Sequence, residues 1–191
     1  GEGKGGGDQG MLLMKICSTC VLPDTFPTID FDDHGVCNYC RSFRGEEHQQ
    51  DLKKRYREKL EKLLATHRGQ GDYDILMAYS GGKDSTYTLD LFKNYFNLRV
   101  LALTFDHGFV SPYAVKNITK VIEKLGVDHI LFKPNFEVMK KVFVTSVNEN
   151  IYSPKTLERA STICTSCMNF VKFITLKATL EKGIPFIGYG W

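Results

Sequence analysis

The 191-residue chain contains no apolar run approaching the ~20 residues that a membrane-spanning helix needs. Nor does it show a charged, apolar and small-residue leader ahead of a cleavage site, so no membrane partner is expected and the cytoplasm is the default compartment. It lacks a strong charge of either sign: a net +3 leaves a nucleic-acid partner open without arguing for one. It lacks any cysteine outside three Cys-x-x-Cys pairs, which in a reducing compartment point to metal or sulfur chemistry rather than disulfides. It also lacks the Walker spacing Gly-x-x-x-x-Gly-Lys-Ser/Thr, because Gly81 and Gly82 are adjacent.

What is present is organised around Ala78-Tyr79-Ser80-Gly81-Gly82-Lys83-Asp84-Ser85. Ahead of it, the short apolar run 73–79 has no helical spacing and suits a strand buried on both faces. After it, Leu89, Leu91, Phe92, Tyr95 and Phe96 recur on one side of a helix. Between them, two glycines remove the Cβ atoms that would block a phosphate, and the helix start offers free N–H groups. Ser80 and Ser85 add hydroxyl donors and Lys83 a mobile positive charge, which makes a cradle fit for pyrophosphate. The alternative is an ordinary Gly-Gly turn.

Further strands are expected at 99–105, 129–132 and 184–189, with helices between them at 112–125, around Met139 and after Cys167. Strand alternating with helix implies right-handed crossovers and an open parallel α/β sheet with helices on both faces. Ligands of such sheets bind at the carboxyl ends of strands, which brings Ala78, Thr104, Asp106 and Gly188 into the expected nucleotide site. Asp106, in Asp106-His107-Gly108, is a candidate Mg²⁺ ligand, with a loop-capping aspartate as the alternative.

Four segments are expected. Residues 1–14, opened by the glycine-rich Gly1–Gly10, form a flexible leader, and residues 15–45 a metal module. Residues 46–70 form a connecting helix, and 71–191 the nucleotide domain, expected to be C-terminally incomplete. Cys17, Cys20, Cys37 and Cys40 have the spacing of a closed four-cysteine site, structural rather than hydrolytic, with zinc expected and iron left open. In the helix, Leu52, Tyr56, Leu60, Leu63 and Leu64 share a face; its lysines and arginines admit a tRNA surface, but interleaved Glu58 and Glu61 favour a solvated helix. Cys164 and Cys167 sit near a helix start, where a lowered thiol pKa is expected, suiting a nucleophile, a redox pair or an iron-sulfur ligand.

Ser80-Gly81-Gly82-Lys83-Asp84-Ser85 resembles the PP-loop of the N-type ATP pyrophosphatases, and the expected fold is similar to the adenine nucleotide alpha-hydrolases. The stretch from Cys17-x-x-Cys20-Val21-x-Pro23-Asp24-Thr25-x-Pro27 to Gly35-Val36-Cys37-Asn38-x-Cys40 resembles the amino-terminal signature of the N-acetyl sugar amidotransferases; with the PP-loop, the likeness covers most of residues 15 to 135. The resemblance implies ATP split to AMP and pyrophosphate, so that a substrate oxygen is activated. Ser80, Gly81, Gly82 and Ser85 would bind the β and γ phosphates, Lys83 would neutralise the leaving charge, and Asp84 and Asp106 would position Mg²⁺. It further implies a sugar or nucleotide substrate, a homo-oligomer, and ammonia from a glutaminase partner, since no glutaminase nucleophile with its base is evident here. Cys164-x-x-Cys167 ahead of Lys172 is similar instead to the PP-loop tRNA thiolation enzymes, where a third cysteine completes a [4Fe-4S] cluster; this chain has no such cysteine. Persulfide chemistry, or a module that binds ATP without turnover, are the remaining readings.

Overall fold

The computed structural model describes residues 14–157 and 160–190, and divides the chain into two compact units at the boundary between Arg57 and Glu58. The expected leader, except for Met14, lies outside the described residues.

The first unit has little regular structure. Antiparallel bridges join Ile16 to Pro23 and Phe31 to Cys37, and a short helix, α1 (Asn38–Ser42), follows. The Asp-His-Gly turn forms because Asp32 Oδ1 accepts the N–H groups of His34 and Val36 at 3.0 and 2.9 Å, with Gly35 at a φ of +73°. Arg41 of α1 holds that turn by pairing with Asp30 and donating to the Val36 carbonyl at 2.8 Å. Helix α2 (Gly45–His67) spans the boundary in sequence. Its apolar face is narrower than its spacing suggests: Leu64 is buried and Leu60 partly so, while Tyr56 and Leu63 are exposed.

The second unit is built on strands β1 (Ile75–Ala78), β2 (Val100–Phe105), β3 (Asp128–Phe132) and β4 (Phe186–Tyr189), all parallel, in the order β3-β2-β1-β4. Between them run α3 (Lys83–Asp90), continued by a wider turn at Leu91–Tyr95, then α4 (Pro112–Leu125), α5 (Phe136–Asn148), α6 (Pro154–Leu157) and α7 (Thr162–Glu181). Period-two alternation divides the core. Ile75, Met77, Val100 and Ala102 pack with Leu64, Leu89 and Ile118 on one side of the sheet; Leu76, Leu101, Leu103 and Phe105 pack with Met139 and Ile174 on the other. Helices therefore cover both faces, and the central strands are apolar apart from Thr104.

Local signals set the helix ends. Ser111 accepts the Ala114 N–H at 3.1 Å, Pro112 fills the first turn of α4, and Gly126 closes it at a φ of +58°. At the amino ends of β1 and β2, the buried Asp74 carboxylate accepts the N–H groups of Gly69 and Arg99 and the Arg99 guanidinium, at 2.7 to 3.2 Å. These contacts, the guanidinium foremost, hold its pKa well below the usual carboxylate range. The strand order reverses between β1 and β4, so the carboxyl ends of these strands flank the crevice where such sheets take ligands.

Candidate functional site

The loop after β1 turns at Gly81, whose φ is +76°, and a Cβ there would lie 2.4 Å from Ile118 Cγ1. Glycine is thus required both by the backbone and by the close approach of α4. Gly82 caps α3 without a side-chain hydrogen bond, so the first N–H groups of that helix face the loop mouth. Ser80 and Ser85 meet across the loop, Oγ to Oγ at 3.0 Å, and Ser85 donates to the Gly82 carbonyl at 3.1 Å. Lys83 and Asp84 are exposed on the first turn of α3, 3.9 Å apart at their charged ends.

A cavity of about 310 Å³ opens beside this loop. Ala78 and Ser80 line it from β1 and the loop, Thr104 and His107 from the end of β2, Cys167 and Val171 from α7, and Gly190 from beyond β4. The structure therefore brings Cys167 to the same cavity as Ser80, a meeting that linear spacing does not reveal. Cys164 is exposed, one turn nearer the helix start, where Ser161 Oγ accepts its N–H at 3.3 Å. The lowered thiol pKa expected at this position is corrected at Cys167: burial, with Cys164 nearby, pushes it up. Among the described residues, no third cysteine, histidine or carboxylate joins this pair within ligand distance.

The strand tips differ in their availability. Thr104 is buried and its hydroxyl donates to the Tyr79 carbonyl at 2.7 Å, so its proton is already committed. Asp106 accepts the Gly108 N–H at 2.9 Å and pairs with Lys133 at 3.2 Å. Burial alone would raise its pKa, but these two partners outweigh it and the carboxyl is held below its ordinary value. Gly188 lies under Phe92, where a Cβ would come within 2.5 Å of the ring, and it is Gly190 that reaches the cavity. A Cβ on Gly190 would stand 2.7 Å from Ser85 Cα, so the tail of β4 crosses directly against the start of α3. The Gly188-x-Gly190 pattern at a strand end was the available signal for this residue.

In the first unit, the four sulfurs of Cys17, Cys20, Cys37 and Cys40 all lie within 4.8 Å of one another. Cys20 and Cys37 are 3.6 Å apart and Cys17 and Cys40 4.0 Å. Four thiolates bound at about 2.3 Å to one tetrahedral ion would stand about 3.8 Å apart, so the set fits a single ion with no open position. Backbone N–H groups of Thr19 and Cys37 donate to Cys17 Sγ at 3.4 and 3.3 Å. Burial opposes ionisation of Cys17, but N–H groups around its sulfur outweigh it and bring its pKa down to about 6. Hydrogen bonding to Cys20, then burial, pushes Cys40 up to about 12. The Cys17 thiolate forms readily while Cys20 and Cys40 resist a second charge, a conflict that a shared cation removes.

No family profile matches the chain. It is 24% identical over 172 residues to the uncharacterized protein MJ1599 of Methanocaldococcus jannaschii, covering 90% of this chain and 57% of that protein. It is also similar to an NH3-dependent NAD synthetase from Campylobacter jejuni, with 13% identity, a TM-score of 0.49, and coverage of 69% of this chain and 53% of that one. The U34-tRNA thiolase NcsA of Methanococcus maripaludis, solved with its [4Fe-4S] cluster, is 16% identical, with a TM-score of 0.45 and coverage of 94% and 55%. NMN synthetase from Francisella tularensis is 16% identical, with a TM-score of 0.46 and coverage of 71% and 53%. The chain thus spans little more than half the length of each of these four proteins. At these TM-scores the likenesses carry no functional weight, and the parallel sheet with its loop stands on its own geometry. No helix among the described residues is long and apolar enough to cross a membrane.

Proposed function

We propose that the second unit binds ATP and splits it between the α and β phosphates, transferring AMP to a substrate oxygen and releasing pyrophosphate. The observation that carries this reading is the loop: a helix start with no side-chain cap at Gly82, and Ser80, which lines the cavity and faces the Ser85 hydroxyl, by the strand-order reversal. Ser80, Ser85 and the N–H groups at the start of α3 would bind the β and γ phosphates. Lys83, exposed and unrestrained by packing, would swing onto the leaving pyrophosphate. Asp84 and Asp106 would hold Mg²⁺, whose contribution when bound is charge neutralisation on the phosphates. Asp106 would exchange its Lys133 contact for that role.

The nucleophile that displaces AMP divides two readings. Ammonia from a glutaminase partner, acting on a sugar or nucleotide, rests on the amino-terminal cysteine signature. Sulfur carried by Cys167 gains from the position of that thiol in the cavity, and on this geometry we favour it. Loading would need a donor persulfide, whose outer sulfur the Cys167 thiolate attacks with release of the donor thiol; the raised pKa keeps unloaded Cys167 a neutral thiol and works against that step. The four-cysteine centre would hold one zinc ion and supply folding energy rather than chemistry.

The test is product analysis with α-labelled ATP, Mg²⁺ and the purified protein. AMP as the nucleotide product, reduced at least about tenfold in Lys83→Ala, is expected. ADP with inorganic phosphate would overturn the reading. Cys167→Ser should retain AMP formation and lose sulfur incorporation if the second donor is right.

A further inference from the structure

Tyr79 is the last residue before the loop, one position past the end of β1, and three contacts fix it. Its N–H donates to the Leu103 carbonyl at 2.8 Å, continuing the ladder with β2. Its carbonyl takes the Thr104 hydroxyl at 2.7 Å. Its own hydroxyl meets Thr86 Oγ1 of α3 at 3.2 Å, so a single buried side chain ties the strand before the loop to the helix after it.

The Thr104 contact has a further support. A carbonyl only accepts, so the single hydroxyl proton of Thr104 is spent on Tyr79. His129 Nε2 lies 2.8 Å from the same oxygen, and Thr104 can only accept there. His129 must therefore carry its proton on Nε2, in either charge state. The register pairs His129 with Ala102 and Leu131 with Thr104, so His129 and Thr104 are diagonal neighbours on adjacent strands. A hydrogen-bond relay runs from β3 through β2 to the peptide that opens the loop: His129 N–H donates to the Thr104 hydroxyl, which donates to the Tyr79 carbonyl.

We infer that His129 and Thr104 are positioning residues for phosphate binding, setting the orientation of the Tyr79 peptide and hence of Ser80 and Gly81. This rests on reading residues 80–85 as a phosphate loop. A hydroxyl in place of a backbone donor at the end of a ladder lets the chain turn away from β2 while its carbonyl stays satisfied. Without it, the carbonyl would need another partner and the loop could rotate away from the helix start.

The test measures binding of inorganic pyrophosphate by calorimetry, with thermal melting in parallel. Thr104→Val and His129→Leu should each weaken pyrophosphate about tenfold. Thr104→Ser and His129→Gln, which restore a hydroxyl and an amide donor, should bind within about threefold of the parent. Asp74→Asn, at the opposite end of β1, lowers the melting temperature through a buried polar contact and should leave pyrophosphate affinity unchanged. If Ser80→Ala and Lys83→Ala weaken binding while Thr104→Val and His129→Leu do not, the positioning role is wrong and the phosphate loop stands. Losses in Thr104→Val that merely track melting, as a similar loss in Asp74→Asn would show, also overturn it. A parent protein that binds no pyrophosphate removes the phosphate-loop reading and this inference together.

Discussion

Three Cys-x-x-Cys pairs share one spacing and meet two different fates. Cys17-x-x-Cys20 and Cys37-x-x-Cys40 converge because the Ile16–Pro23 and Phe31–Cys37 bridges fold the intervening residues back, bringing four sulfurs within 4.8 Å. Cys164-x-x-Cys167 instead lies along α7, with one thiol exposed and the other in the cavity that adjoins the phosphate loop. The spacing alone specifies two sulfurs on one local element; what surrounds them decides whether four sulfurs converge or a pair stands alone. The number of thiols in reach, rather than the motif, separates structure from chemistry.

The largest effect that would sharpen this contrast is expected from Cys37→Ser. It should cut bound zinc from about one ion per chain to near zero and melt the first unit, because a structural site contributes on the order of 10 kcal/mol to folding. Metal analysis and limited proteolysis would show it, and Cys164→Ser should leave zinc content unchanged. Smaller but still severe, Gly81→Ala should cost about 3 kcal/mol, since a Cβ 2.4 Å from Ile118 must be accommodated at a left-handed φ. A shift in urea midpoint together with loss of pyrophosphate binding would confirm that the second unit's loop, like the first unit's cysteines, tolerates no local substitution. Asp74→Asn should cost about 2 kcal/mol by losing charge-assisted hydrogen bonds. Because the folded pKa of Asp74 is depressed, its contribution is complete above the unfolded value of about 3.9 and is lost as pH falls through the folded one. Denaturation midpoints of the parent should therefore drop in acid more steeply than those of Asp74→Asn.

Local chemistry made much of this legible. Pro112 and Gly126 bracket α4 at the expected residues, the strand expected at 99–105 runs Val100–Phe105, and the two amino-terminal cysteine pairs converge as their spacing implies. Ser80 to Ser85 form a strand-loop-helix turn as their glycines suggest. What was not legible depends on which strand lies beside which. Cys167 shares a cavity with Ser80 only because α7 packs on the face of the sheet that β1 and β2 share, and periodicity carries no such information. The same holds for His129, which reads in sequence as one polar residue in an apolar strand and acquires a role only through its diagonal neighbour Thr104. Gly188, expected in the nucleotide site, lies inside β4 against Phe92, Met77 and Ile75, whereas Gly190, beyond the strand end, passes against the start of α3 and lines the cavity.

The central claim is that Cys167 and the phosphate loop belong to one nucleotide site, and the most direct measurement is alkylation of Cys167 followed by mass spectrometry, with and without saturating Mg²⁺-ATP. The account predicts that ATP slows modification of Cys167 at least about tenfold, and that Lys83→Ala removes the protection. A Cys167 alkylation rate unchanged by ATP would contradict it.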